Sequence, residues 1–378
     1  MDRYLLQNIL NNCNSKVVLI SGPRQGGKTT VAKMLFKNYV YLNYDLSEDR
    51  DFIMRKYWLR DVDGVIFDEL HKMPEWKRFI KGVFDNEGCK PNLIVTGSAN
   101  MDAFTKVGDS LAGRYFQYRL HPLDIKEGVR FWQDNPAAVF DRIMNYSGFP
   151  EPFLKGDTSY YRRWQRTHID VILRQDFLDL YAVRSIKSIE VLVELLSRRV
   201  ASPISYINLS NDLQVDPKSV KSWIAMLENF YILFTVTPYH HNIARSLLKE
   251  PKVYFFDIGR VVDLGARLKN LVACALLKEI HYLEDVTGCK ASLHYLKTKE
   301  GHEIDFLVVV DDKPIICIEV KSSDDQLSKN FYRFNKHLNT KHSVQLALNL
   351  KKEYDSEEGV QVRDLVSFLA KFDLANFL

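Results

Sequence analysis

The chain has 378 residues, enough for two or three domains at about 150 residues each. Hydrophobic residues make up 46% and charged residues 26%, which excludes a disordered, collagen-like or coiled-coil chain, and 52 Lys and Arg against 48 Asp and Glu exclude a polybasic nucleic-acid coat. Five cysteines, an odd count without a CxxC pair, speak against a disulfide framework or zinc ribbon and for a reducing cytoplasm. In chain order, the N-terminal MDRYLLQNILNNCNSK lacks the apolar stretch of a signal peptide, and no later run reaches the ~18 apolar residues of a membrane span. A cytoplasmic protein without membrane contact is expected.

Val17–Ile20, Val40–Tyr44, Val65–Phe67, Leu93–Val95 and Tyr115–Leu120 read as strands. The segments between them carry helical spacing, as in Trp76, Phe79, Ile80, Val83 and Phe84. Short apolar runs separated by helices predict a parallel sheet covered on both faces. Residues 1–134 are therefore expected to form an α/β core. Residues 135–187 read as helical, broken at Gly148-Phe149-Pro150. Over 188–250 come a helix at Ile189–Val200, a second at Ile204–Leu213, a turn at Val215-Asp216-Pro217 and a third helix at Lys218–Phe230. Strand candidates Ile232–Val236 and Val253–Phe256 follow. Pro217 suits a first helical turn, where its missing N–H costs nothing, and the order fits a winged helix-turn-helix. Residues 251–378 mix a helix at Leu271–Leu283 with strands at Ser292–Lys297, Ile304–Val310 and Ile315–Val320.

Gly22-Pro23-Arg24-Gln25-Gly26-Gly27-Lys28-Thr29 matches G-x-x-x-x-G-K-[ST], after a predicted strand and before a helix at Thr30–Lys37. Glycines there let successive amides point at phosphate oxygens, and the helix N-terminus adds positive potential. Lys28 would reach the β- and γ-phosphates and Thr29 would ligate Mg²⁺, with Gly22, Arg24, Gly26, Gly27 and Thr30 completing the binding loop. Val65-Ile66-Phe67-Asp68-Glu69 is an apolar strand ending in two acids, Asp68 for the metal and Glu69 for the attacking water. That second acid favours hydrolysis over phosphorylation of a small molecule. Thr96 or Ser98, at the end of a third strand, would serve as a polar sensor; the alternative is a capped strand end. His71 lies close in sequence but receives no role, and His240-His241, His281, His294 and His302 lack metal-ligand spacing.

GPRQGGKTT, IFDELHKMP, IVTGSAN and LAGRYFQYRLHPLDIKEG resemble the AAA-type, STAND-like P-loop ATPases of bacteria and archaea. The resemblance continues through SGFPEPFL, KSVKSWIAMLENFYIL, KVYFFDIG and GHEIDFLVVV…ICIEVKSS, and so spans nearly the whole chain. It implies a P-loop core with a helical lid, a winged helix and a C-terminal PD-(D/E)XK nuclease-like domain of unknown function. It also implies that Pro150 starts a lid helix that meets the nucleotide and that Arg114 stabilises charge, in cis or toward a neighbour. The plain alternatives are an interhelical turn and a structural salt bridge. In the last domain Asp305, Glu319 and Lys321 resemble the nuclease core, which needs an Asp and a Glu on a metal and a Lys beside them. A symmetric two-residue turn at Asp312-Lys313 would set Asp305 opposite Val320, on the wrong face, whereas an odd-length loop or a bulge would set it opposite Glu319. Lys269 stands where the family carries a Glu, which weakens metal binding.

The expected function is ATP binding and hydrolysis with Mg²⁺ as a conformational switch that acts on nucleic acid. The alternatives are an ATP-gated, metal-dependent nuclease and a non-cleaving DNA- or protein-binding module under ATP control. Lys218, Lys221 and Ser222, opposite Ile224 and Leu227, are the candidate DNA face. Expected partners are ATP, DNA through that face, and another protein or a second copy of the chain.

Overall fold

The computed structural model describes residues 3–98, 111, 113–132, 135–176, 186–239, 250–323, 326–335, 338 and 340–378. His240 and His241 lie outside the described residues. By contact the chain forms two units. The first holds the described parts of Met1–Pro122 and Asp170–Ala182, and Asn229–Tyr231; the second holds the described parts of Leu123–Ile169, Val183–Glu228 and Ile232–Leu378. The domains expected from the sequence divide the chain end to end, whereas these units interleave.

In the first unit, strands β1 (Val17–Ser21), β2 (Tyr39–Asn43), β3 (Gly64–Asp68), β4 (Asn92–Gly97) and β5 (Tyr115–Arg119) form one sheet in the order β2-β3-β4-β1-β5. Every pairing is parallel. All residues of β1 and β3 are buried, as expected for central strands covered on both faces. Helices Lys28–Met34, Ser47–Arg55 and Trp76–Glu87 connect the strands. Trp58, Phe67 and Phe79 meet edge-to-face, with ring centroids 5.2 to 6.5 Å apart. The parallel arrangement brings the C-terminal ends of β1, β3 and β4 to one edge of the sheet, and this positions the site.

The second unit opens with helices Ile125–Trp132, Pro136–Tyr146, Pro150–Lys155 and Thr158–Val171. Helices Ile186–Ser197, Tyr206–Leu213 and Pro217–Asn229 follow. Pro217 is the first residue of its helix, as its chemistry predicts. Strands β6 (Leu233–Pro238) and β7 (Lys252–Phe255) pair antiparallel. They do not stand apart as an isolated ribbon: Thr237 and Pro238 pair with His294 and Tyr295 of β8 (Ala291–Lys297), so β6 and β7 edge a larger sheet. With β9 (Glu303–Val310), β10 (Lys313–Lys321), β11 (His342–Ala347), β12 (Tyr354–Asp355) and β13 (Val360–Asp364) the order is β12-β13-β11-β10-β9-β8-β6-β7. The long helix Leu264–Thr287 lies against β7 and β8.

The β9–β10 turn decides the C-terminal acidic pair. Asp311 and Asp312 both adopt positive φ (47° and 61°), so Val310 pairs with Lys313 across a two-residue turn. That register alone would leave Asp305 opposite Ile318. A bulge between Pro314 and Ile316 shifts it by one, pairing Ile316 with Val308 and Ile318 with Phe306. Continued by one residue, it sets Glu319 opposite Asp305, on a shared face.

Candidate nucleotide site

The phosphate loop leaves β1 at Ser21. Gly22 has φ 148°, and a Cβ there would lie 2.2 Å from the Leu120 carbonyl oxygen, so no side chain fits. The Gly26 amide donates to the Pro23 carbonyl (3.0 Å), and the Gly27 carbonyl accepts from Val31 (2.9 Å), closing the loop onto the helix Lys28–Met34. The Lys28 ammonium is buried and donates back to the carbonyls of Gly22 (3.0 Å) and Pro23 (2.9 Å). It is thus held over the loop whose amides would meet a phosphate. Arg24 is half-buried and Thr30 exposed.

Asp68, at the end of β3, gathers three hydroxyls. Thr29 donates to its Oδ2 at 2.9 Å, Tyr41 to the same oxygen at 2.6 Å, and Thr96 to Oδ1. Glu69, in left-handed conformation (φ 56°), accepts from Ser98 at 3.1 Å, and His71 Nδ1 lies 3.6 Å from the same oxygen. Burial pushes the Glu69 carboxyl above its ordinary value; Lys28 opposes the shift and Asp68 adds to it. The Tyr41 phenol is pushed up, by burial first and then by Asp68. The structure therefore brings Lys28, Thr29, Asp68, Glu69, Thr96 and Ser98 together. Hard oxygen donors from Thr29 and Asp68, already in contact, fit a Mg²⁺ ion.

Sequence reasoning missed three residues that support this site. Arg3 is buried and donates to the Gly26 carbonyl (3.1 Å) and the His121 carbonyl (2.6 Å). Tyr41 carries no motif; its signal is a phenol on the strand beside β3. Tyr231, in left-handed conformation (φ 54°) after the helix Pro217–Asn229, donates to the Ser21 hydroxyl at 3.1 Å. Ser21 immediately precedes the loop, more than 200 residues earlier (a separation of 210).

One expected residue sits elsewhere. Arg114 precedes β5, whose first residue pairs with Val17, the first residue of β1. It is therefore at the N-terminal edge of the sheet, about 16 Å from the phosphate loop across a five-residue strand. There it grips Asp85 with two bonds, of 2.6 and 3.3 Å. The expectation that Arg114 acts on its own loop is corrected by this strand direction. Pro150 belongs to the second unit and heads the helix Pro150–Lys155. Beside it, the Gly148 carbonyl accepts from the Leu123 amide at 2.7 Å, and Phe149 packs on Trp164 and His168 at 5.0 Å.

In the second unit, Asp305 and Glu319 are brought together with Lys321 and Lys269. Lys269 Nζ lies 2.5 Å from Asp305 Oδ1, and Lys321 Nζ lies 3.0 Å from Glu319 Oε1. Burial lowers the Lys269 affinity for a proton, but the charge and hydrogen bond of Asp305 together with the charges of Glu319 and Glu303 outweigh it, and the net shift is upward. The Glu319 carboxyl is raised by burial and by Asp305, against Lys321. Lys218, Lys221 and Ser222 are exposed on their helix, opposite buried Ile224 and Leu227.

Comparison with known families matches residues 14–129 to an AAA domain, 138–270 to a domain of unknown function (DUF8612) and 264–367 to another (DUF4143). The N-terminal third, which carries the phosphate loop, is thus similar to an AAA domain. An uncharacterized protein of Methanocaldococcus jannaschii is 23% identical over 350 residues, covering 82% of this chain and 77% of its own. One from Mycobacterium tuberculosis is 22% identical, covering 79% and 68%, and one from Haemophilus influenzae is 21% identical, covering 97% and 98%. Among solved structures, a RuvB variant from Thermotoga maritima is 15% identical with TM-score 0.31, covering 65% of this chain and 91% of its own. A STAND protein with a tetratricopeptide repeat sensor from Pyrococcus horikoshii is 14% identical with TM-score 0.24, covering 76% and 48%. Among the described residues, no helix is long and apolar enough to cross a membrane.

Proposed function

We propose that the chain binds ATP with Mg²⁺ at the phosphate loop and hydrolyses it as a conformational switch, with nucleic acid as its target. One observation carries the reading: an ammonium, a hydroxyl–carboxylate pair and a half-buried second carboxylate converge at one edge of the parallel sheet. Lys28 would leave the Gly22 and Pro23 carbonyls for the β- and γ-phosphates. Thr29 and Asp68 would hold Mg²⁺, which supplies charge neutralisation on the phosphates when bound. Glu69, oriented by Ser98, would accept a proton from the attacking water, and Thr96 fixes the orientation of Asp68. Arg114 is a candidate only toward a neighbouring copy. The exposed Lys218–Ser222 face supports nucleic acid as the target.

Lys28→Ala is expected to lose ATP binding. Glu69→Gln is expected to keep ATP binding while phosphate release falls by about 100-fold or more, the usual share of a general base. Normal phosphate release from the Glu69→Gln protein refutes the assignment.

A further inference from the structure

Asp305 and Glu319 form the pair of buried carboxylates on which a divalent cation would be expected to sit. Their oxygens are already engaged from within the chain. Asp305 Oδ1 faces Lys269 Nζ (2.5 Å) and Oδ2 accepts the Val320 amide (3.0 Å). Glu319 Oε1 faces Lys321 Nζ (3.0 Å) and Oε2 accepts the Asp305 amide (3.3 Å). Two carboxylates meet two ammoniums, so the cluster is neutral before any ion arrives. The nearby Glu303 is paired with buried Lys252 and adds no free charge. Among the described residues, no group of three or more acidic, His or Cys side chains could hold a metal.

We propose that Lys269 is the resident cation of the Asp305–Glu319 pair, so that this pocket excludes divalent metal and the domain does not cleave phosphodiesters. A hard divalent ion needs several oxygens and little competing positive charge. Here an ammonium lies against a ligand oxygen, and its helix, Leu264–Thr287, anchors it: Asn270, the next residue, bonds both the amide and the carbonyl of Phe255 at 2.7 Å. Lys269 therefore cannot withdraw with its backbone to admit an ion. The inference uses no nucleotide and stands apart from the ATPase reading.

The test is Mn²⁺ binding to the full chain without nucleotide, followed by electron paramagnetic resonance of the free ion. Wild type and Asp305→Asn are expected to bind equally. Lys269→Glu is expected to gain a bound Mn²⁺ that Asp305→Asn in the same background removes. Lys269→Gln, a smaller change that drops the charge and keeps much of the stem, is expected to gain a weaker version of the same signal. Plasmid DNA with Mg²⁺ or Mn²⁺ is expected to stay intact with the wild-type protein. Asp305-dependent Mn²⁺ binding or nicking by the wild type overturns the proposal. So does the absence of any gain in a Lys269→Glu protein whose circular dichroism shows it folded.

Discussion

Glu228 closes the helix Pro217–Asn229 by turning its carboxylate back into the protein, where Oε1 accepts the Thr235 amide at 2.9 Å and the Thr235 hydroxyl at 2.6 Å. Both bonds favour the ionised form, yet burial outweighs them and holds the carboxyl above its ordinary value of 4.5. The folded chain thus keeps this proton more tightly than the unfolded one. The contribution to stability is full below pH 4.5 and is lost as pH rises through the raised pKa. Glu228→Gln keeps an accepting oxygen without the charge. It is expected to melt at a higher temperature than wild type near pH 8, with the difference shrinking as the pH falls toward 4.5 in a melting series. Equal melting temperatures near pH 8 would count against this account. The same residue scale separates legible from illegible chemistry. Lys28, Thr29, Asp68 and Glu69 are legible because a motif fixes their spacing along the chain. Arg3, Tyr41 and Tyr231 are not, because a lone Arg or Tyr gains meaning only from the strand or turn that the fold sets beside it.

The helix Ile125–Trp132 and the long helix Leu264–Thr287 are joined by charge rather than by apolar surface alone. Lys278, 4% exposed, lies 2.6 Å from Glu127 and 3.1 Å from Asp124. Asp124 also accepts the Glu127 amide at 2.7 Å. On the next residue, Glu279 pairs with Lys126 at 2.8 Å. Removing one partner of such a buried group leaves the others uncompensated, which costs about 3–5 kcal/mol. Lys278→Met is expected to lose that much in chemical denaturation, and adding Glu127→Gln is expected to recover part of it. A loss below about 1 kcal/mol would mean that water reaches these acids. Of these two helices only the stretch Leu271–Leu283 is readable from its spacing; the helix Ile125–Trp132 and the charged partners of both are not. The β9–β10 bulge was likewise only an option in the sequence, since nothing in DDKPII says which residue will be left unpaired. The strands of the first sheet are readable, because a buried parallel strand tends to be an apolar run, whereas β11 and β13, parallel as well but interrupted by Ser343, Gln345 and Arg363, are not.

At the scale of the whole molecule, the reading as a switch predicts that the target alters turnover. Phosphate release is expected to change when duplex DNA is added. A Lys218→Ala/Lys221→Ala protein is expected to lose that response while keeping its basal rate. Its DNA binding should also fall less steeply with salt, because two phosphate contacts fewer release fewer counterions. DNA that leaves wild-type turnover unchanged, or a double variant with unaltered salt dependence, would turn the exposed helix face toward a protein partner instead. The class and the strand sequence of the first sheet were legible; the elements after Lys321 and the interleaving of the two units were not, the latter because it depends on short segments such as Asn229–Tyr231 that look like ordinary connections.

The hydroxyl of Tyr231 on Ser21 has a practical consequence for anyone dividing this gene. A fragment cut after residue 134 would carry the complete fingerprint for gripping a nucleotide and still lack one of the props beneath it. Chimeras that exchange the front of the protein between relatives would have to bring the Asn229–Tyr231 tripeptide along, or graft a loop onto a foundation shaped for someone else's phenol.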